Sequence, residues 1–421
     1  MKNTKKLLWV IIPVVIALAA GVLLFLLTSP NVTSLEMGED GVTLYSGKSG
    51  SLHADRVYIA EDGSACIDYT VAARGDEQLY VCFDNVEING WAMDFYDHFA
   101  DYYLVPDTGS GTFRIAEADI LKSIGITDIY DVRFDTCASP DRDGQNIRTI
   151  ALTVKDAPAQ YSAARVPVVG EQVLVDTDDF VCIAETVETG ILYGEEEHYV
   201  QIYLENRTDK TQLAEIHLND VNGLSFASFC EIRLSPGAKA CMPLVLSSYD
   251  FERFGMPGVD NICLSLEVSD KDHNHAVNYT SFELFFNGYT TDTLPDYIRR
   301  TEENETVIVD NDRFTFVIFG AERFDDDNYI VQCYIENKTT DPLSLSTEKS
   351  VINGIEVKRN IDGYGLSAHR KMYENMIFFT DASDTNETVE EFLFSLNVTG
   401  TDDSGNEYVV VSPDQQLEYR P

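Results

Sequence analysis

The densest chemistry in the chain lies between Trp91 and Tyr103 (WAMDFYDHFADYY), where six aromatic residues interleave with three aspartates and one histidine. Aromatic rings stack on sugars or enter a partner's pocket when they protrude, and fill a core when they do not. Trp91, Phe95, Phe99 and Tyr102 share one face of a helix, which is the core arrangement. Presented outward, Trp91, Phe95, Tyr96, Tyr102 and Tyr103 are the candidate ligand-binding residues. Elsewhere the chain holds no G-x-S-x-G elbow, H-E-x-x-H helix, Walker A loop or C-x-x-C pair, so no catalytic residue is assigned and no enzyme is expected. With 71 Asp+Glu, no single carboxylate pair stands out as an acid/base couple. His273 and His275 flank Asn274 at an expected hairpin tip, without further metal ligands in view. Calcium is the one cofactor weighed, at Asp325-Asp326-Asp327-Asn328 and at Asp141-x-Asp143-Gly144-x-Asn146. Neither stretch forms the D-x-D-x-D-G-x5-E loop, so diffuse counter-ions are the simpler expectation and neither metal nor cofactor is assigned. A formal charge of −41, from 30 Lys+Arg against those acids, excludes a nucleic-acid partner because phosphates would be repelled.

Leu7 to Leu27 (LLWVIIPVVIALAAGVLLFLL) is uncharged and, as a helix, about 31 Å long, the thickness of a bilayer's hydrocarbon core. Lys2, Lys5 and Lys6 precede it and an acidic chain follows. The charge asymmetry places residues 1–6 in the cytoplasm and the rest outside, the localisation of a single-pass cell-membrane protein. The competing reading is a cleaved signal peptide with Ala17-Leu18-Ala19 as the small-residue site.

The elements that must position any site repeat along the chain. Tyr203-Leu204-Glu205-Asn206-Arg207-Thr208 recurs as Tyr334-Ile335-Glu336-Asn337-Lys338-Thr339, a shift of 131 residues. Val221-Asn222-Gly223 recurs as Ile352-Asn353-Gly354, Leu264 to Val268 as Phe394 to Val398, and a more divergent first copy keeps Ile88-Asn89-Gly90. Within each copy apolar residues alternate, as in Val200-Ile202-Leu204, Phe314-Phe316-Ile318 and Phe394-Leu396-Val398, between turns rich in Asn, Asp and Gly. That is the pattern of half-buried antiparallel strands. The expected fold is mainly β: an N-terminal transmembrane helix followed by three tandem immunoglobulin-like β-sandwiches, each with one short helix, at Ala116 to Gly125, Tyr249 to Gly255 and Val389 to Phe392. The boundaries are a cytoplasmic tail at 1–6, the helix at 7–27, a linker at 28–40, a first unit at 41–156, a linker at 157–170, a second unit at 171–287, a linker at 288–305 and a third unit at 306–421.

A Lys-rich tail, one span and tandem units with an Asn-Gly turn and a short helix before a strand resemble uncharacterised membrane-anchored surface proteins of Gram-positive anaerobes. The resemblance is architectural and implies an extracytoplasmic interaction role, with no functional residue carried over.

Eight cysteines in an exported chain suggest disulfides, but they divide unevenly among the units, with Cys333 alone in the last. Cys182 aligns with Phe316, Cys263 with Phe394 and Cys333 with Ile202, so the expectation is buried free thiols acting as small hydrophobes. A bridge such as Cys66–Cys82 is the alternative. Asn206 and Asn337 lie in N-x-T sequons at strand ends, where the same residues serve as turn chemistry. Together these features point to a non-catalytic, acidic surface protein that binds or scaffolds an extracellular or envelope protein or glycan. The alternative is an accessory ectodomain of a membrane transporter or sensor, whose helix packs laterally through Ala17, Ala19, Ala20 and Gly21. An extracellular hydrolase comes third.

Overall fold

The computed structural model describes residues 32–421, apart from 75–78, 94–102, 106–107, 140–146, 159–164, 193–194, 249–250, 253–254, 257, 271–276, 300, 302–303, 326–327, 360–363, 381–387 and 403. The chain is mainly β, in four sheets. The segment Leu7 to Leu27 lies outside the described residues, among which no helix is long and apolar enough to cross a membrane.

The alternating stretches form strands whose inward residues are buried, because a period of two puts every second side chain on one face of the sheet. Val200, Ile202 and Leu204 of Glu195–Asn206 are fully buried, as are Phe314, Phe316 and Ile318 of Phe314–Arg323 and Phe394, Leu396 and Val398 of Phe392–Thr401. Buried apolar residues gather into three clusters, centred on Phe83 and Phe134, on Ile202 and Leu264, and on Phe316 and Phe394.

Each cluster lies between two sets of strands. The first is faced by Val42–Ser46, Gly50–Ile59, Ala65–Ala73 and Thr108–Ala116 on one side, and by Leu79–Ile88, Asp131–Ser139 and Arg148–Thr153 on the other. Two of the four sheets run past a single cluster. A ten-stranded sheet continues from Leu79–Ile88 through Trp91–Ala92 to Lys239–Leu246, Glu195–Asn206, Phe180–Leu192 and Gln172–Asp176. A nine-stranded sheet continues from Gln212–Val221 and Leu224–Leu234 to Lys371–Phe379, Asn328–Asn337, Phe314–Arg323 and Thr306–Asp310.

The Asn-Gly dipeptides are two-residue hairpin turns. Asn89, Asn222 and Asn353 take φ of 54°, 52° and 49°, and the glycines after them 80°, 77° and 82°. Both central positions are left-handed, as a type I′ turn requires, and Asn and Gly tolerate that region best. The asparagine side chains add a second function. Oδ1 of Asn89 accepts from the backbone N–H of Tyr130 and Asp131, that of Asn222 from Asp260 and Asn261, and that of Asn353 from Glu390 and Glu391. Their Nδ2 groups donate to the carbonyls of Asp128, Gly258 and Thr388. The same three-bond clamp thus ties hairpin to neighbouring loop three times along the chain.

Two local expectations change and others hold. Residues 28–40 are not all linker, since Val32–Glu36 is a strand running parallel to Arg148–Thr153. The helix at Ala116 to Gly125 forms over Ala118–Ser123, with Leu121 buried and Gly125 at φ 73° behind it. At Val389 to Phe392 there is none: Asn353 clamps the N–H groups of Glu390 and Glu391, Val389 enters the core, and Phe392 begins a strand. In the middle copy Phe251 and Glu252 are helical.

Candidate functional site

Trp91 is 4% exposed, begins the strand Trp91–Ala92 and belongs to the first core cluster, so it is a packing residue rather than a protruding ring. Tyr103 opens a strand, Tyr103–Val105, that pairs with Leu79–Ile88. A helix running from Trp91 to Tyr103 is therefore interrupted at both ends, while Phe95, Tyr96 and Tyr102 lie outside the described residues.

What Trp91 packs against defines the candidate site. Its ring meets that of Tyr203 edge-on at 5.9 Å between centroids, an arrangement favoured by the quadrupoles of the two rings. Trp91 is also the parallel strand partner of Lys239, whose N–H donates to the Gly90 carbonyl at 3.0 Å. Two residues before the Asn-Gly turn, the Glu87 carboxylate accepts from the Ser235 N–H at 3.2 Å. Val181, Tyr203 and Cys241 thereby become part of the first core cluster.

Over the Tyr203 ring also lies the Arg165 guanidinium, 4.9 Å from the ring centroid. Arg165 pairs with Glu171 and, at 2.9 Å, with Glu185. Burial works against its charge, but the two carboxylates outweigh that and hold its pKa above the ordinary value. Arg165 in turn holds the Glu171 carboxyl below its usual range. Burial, reinforced by a hydrogen bond to Glu205, pushes the Tyr203 hydroxyl up.

The same construction recurs one repeat later. Leu224, directly after the second Asn-Gly turn, is the parallel partner of Lys371. Asp220, two residues before that turn, pairs with Arg370, which also donates to the Asn219 carbonyl. Arg299 lies 5.2 Å over the Tyr334 ring and pairs with Glu305 at 2.8 Å. Tyr334 meets Tyr373 edge-on at 5.3 Å, and Tyr334 and Val317 join the middle core cluster. Arg165–Glu171–Tyr203 and Arg299–Glu305–Tyr334 are thus one motif used twice. It was legible as an Arg-x5-Glu spacing that begins in each linker and ends at Glu171 and Glu305, and sequence reading missed it because both linkers were taken as spacers.

Glu87 and Asp220 are buried carboxylates, and burial raises the pKa of both. For Glu87 the Ser235 hydrogen bond and the Arg133 charge offset only part of that cost; for Asp220 the Arg370 charge does so. The equivalent position before the third Asn-Gly turn is Val351, so the acid is found at the two turns that engage a following strand.

A cleft of about 200 Å³ opens beside the first motif, lined by Trp91, Lys122, Arg165, Glu185, Tyr203 and Cys241. Its charged groups are already paired or at its rim, which suits a packed junction better than a reacting centre. Burial pushes the Cys241 thiol up to about 12, which keeps it protonated and unreactive at neutral pH. Among the described residues no three His, Cys, Asp or Glu side chains converge to hold a metal. Of the two calcium candidates, Asp325 engages Asn328 at 2.8 Å, whereas 140–146 and 326–327 lie outside the described residues, as do His273 and His275.

All eight cysteines are free thiols, seven of them buried. Cys66 bonds to Ser64 on the four-stranded sheet, whereas Cys82 faces Cys137 across neighbouring strands of the ten-stranded one. The alternative pairing Cys66–Cys82 is therefore replaced by a different neighbour.

No family model and no curated protein matches the chain. Among solved structures, an exo-chitosanase from Amycolatopsis orientalis is similar over 54% of this chain at 9% identity and a TM-score of 0.16. The match spans 26% of that protein's length, and a similarity this distant defines neither fold nor activity for the present chain.

Proposed function

We propose that the chain is a membrane-anchored, non-catalytic surface stalk: the apolar segment Leu7 to Leu27 holds it in the bilayer, and three tandem immunoglobulin-like β-sandwich units carry a binding surface outward. The observation that carries this reading is the repeated junction. A ligand site need occur once, whereas a device that joins each repeat to the next by strand pairing, an aromatic contact and an Arg–Glu latch serves the array as a whole. The charge of −41 keeps such an array soluble and holds it away from an anionic envelope. The partner is an extracellular or envelope protein or glycan, no cofactor is required, and the aromatic stretch after Trp91 remains the proposed ligand-binding segment.

Two measurements test this. Protease added to intact cells should degrade the chain beyond residue 31, and full protection would overturn the topology. Electron microscopy of the full chain in lipid nanodiscs should show fixed inter-unit angles that broaden in Trp91→Ala/Tyr203→Ala. A wild-type chain as variable as that variant would remove the stalk role. Stoichiometric co-purification of another membrane protein in mild detergent would favour the accessory-subunit reading instead.

A further inference from the structure

We infer that Cys82 and Cys137 form a cross-strand redox couple that closes to a disulfide by exchange with an external disulfide. The two residues are directly opposed on the antiparallel strands Leu79–Ile88 and Asp131–Ser139, with Sγ atoms 3.0 Å apart. Opposed residues in such a pair have Cα atoms about 4.5–5.5 Å apart, inside the window of about 4.4–6.8 Å that a disulfide spans. The backbone already satisfies the bridge, and the sulfurs need approach by only about 1 Å.

No other cysteine has this arrangement. Cys66 stands opposite Tyr58 and Arg114, Cys182 opposite Val175 and Leu204, Cys230 opposite Ile216, Cys241 opposite Tyr203, Cys263 opposite Asp220 and Glu283, and Cys333 opposite Ile318 and Glu374. The small-hydrophobe explanation also fits this pair less well than Cys182 or Cys230. Those two belong to the middle core cluster, whereas Cys82 and Cys137, although 1% and 0% exposed, belong to none. Val81 and Phe83 on either side of Cys82 do belong to the first core, so the alternation of the strand turns Cys82 toward the opposite face of the sheet.

The two sulfurs lie within hydrogen-bonding distance, so a thiolate formed at either one is stabilised by the thiol opposite. One thiolate of the pair attacks one sulfur of a disulfide RS–SR, the S–S bond breaks, and RS⁻ leaves. The other thiol of the pair then loses its proton, and its thiolate attacks the protein sulfur of that mixed disulfide and expels the second RS⁻. Two protein thiols are oxidised to one disulfide while RS–SR is reduced to two RSH. Because both sulfurs are buried, exchange in the folded state waits on local opening of the sheet. The couple is independent of the stalk reading and stands or falls separately.

The test equilibrates the full chain, in detergent micelles, with glutathione and glutathione disulfide over a range of ratios. The samples are quenched in acid, unfolded, alkylated without reduction and mapped by mass spectrometry. The expected result is loss of alkylation at Cys82 and Cys137 together, a cross-linked peptide pair joining them, and alkylation retained at the other six cysteines. The first unfolding transition should rise by roughly 10 °C or more on oxidation, and this rise should be absent in Cys82→Ser and Cys137→Ser. Full alkylation of both thiols at every ratio, or a cross-link from Cys82 to any other cysteine, would overturn the assignment. The map needs only the wild-type chain, so it decides the matter even if a serine variant fails to fold.

Discussion

Asn206 and Asn337 show how much one residue can hold. Both are 0% exposed, and the Nδ2 of Asn206 lies 2.7–3.0 Å from the carbonyls of Lys210, Leu234 and Ser235 while its Oδ1 accepts from the N–H and hydroxyl of Thr208. Asn337 repeats the pattern with Asp341, Leu366, Ser367 and Thr339. Replacing either by Ala leaves buried carbonyls without a donor, and the expected cost is about 2–4 kcal/mol in urea unfolding. Because Asn206 and Asn337 are buried, these two N-x-T sequons act in the structure as turn chemistry.

Glu87 gives a residue-scale prediction with a sign. Its folded pKa is raised, so the folded state binds its proton more readily than the unfolded chain. The charged carboxylate therefore costs stability above the folded pKa, and the cost disappears as pH falls below the ordinary Glu value of about 4.3. Glu87→Gln keeps an acceptor for the Ser235 N–H without the charge. Its melting temperature should exceed that of the wild type most at pH 8 and converge with it near pH 4, as followed by calorimetry across that range. A constant difference would mean that Glu87 does not titrate between the two states.

Among the elements, the Asn-Gly hairpins were the most legible part of the fold, because turn type follows from backbone sterics at two adjacent residues. Gly223→Ala isolates that term: an added Cβ would meet no atom within 4 Å, yet the residue sits at φ 77°. The expected loss is about 1–2 kcal/mol in equilibrium unfolding. The helix expected at Val389 to Phe392 failed for a reason that local pattern does not carry. Phe392 is held in strand register with Ile352 and Tyr419, and Val389 packs into the third core, through residues distant in the chain.

For the whole molecule, the junctions decide whether the repeats behave as separate bodies or as one. Trp91→Ala removes a buried indole that both sides of the first junction share, at an expected cost of about 3–5 kcal/mol. Thermal unfolding should then split, with the N-terminal part melting first. A double-mutant cycle on Arg165 and Tyr203 should return a coupling of about 0.5–2 kcal/mol, and a value near zero would show that the stacked guanidinium adds nothing.

The sequence by itself determined the β class, the repeat of about 131 residues, the Asn-Gly turns and the apolar segment near the N-terminus. Each of these is written in neighbouring residues, through strand alternation, left-handed turn sterics or an unbroken hydrophobic run. Only the tertiary structure decided that Trp91 is a junction residue, that Glu87 reaches Ser235 across 148 positions and that Arg370 reaches Asp220 across 150. It also decided that Cys82 faces Cys137 rather than Cys66. One acid among 71, or one thiol among eight, has no local mark that names its partner. Strand register and the packing of one core against the next bring such groups together, and neither is set by residues adjacent in the chain.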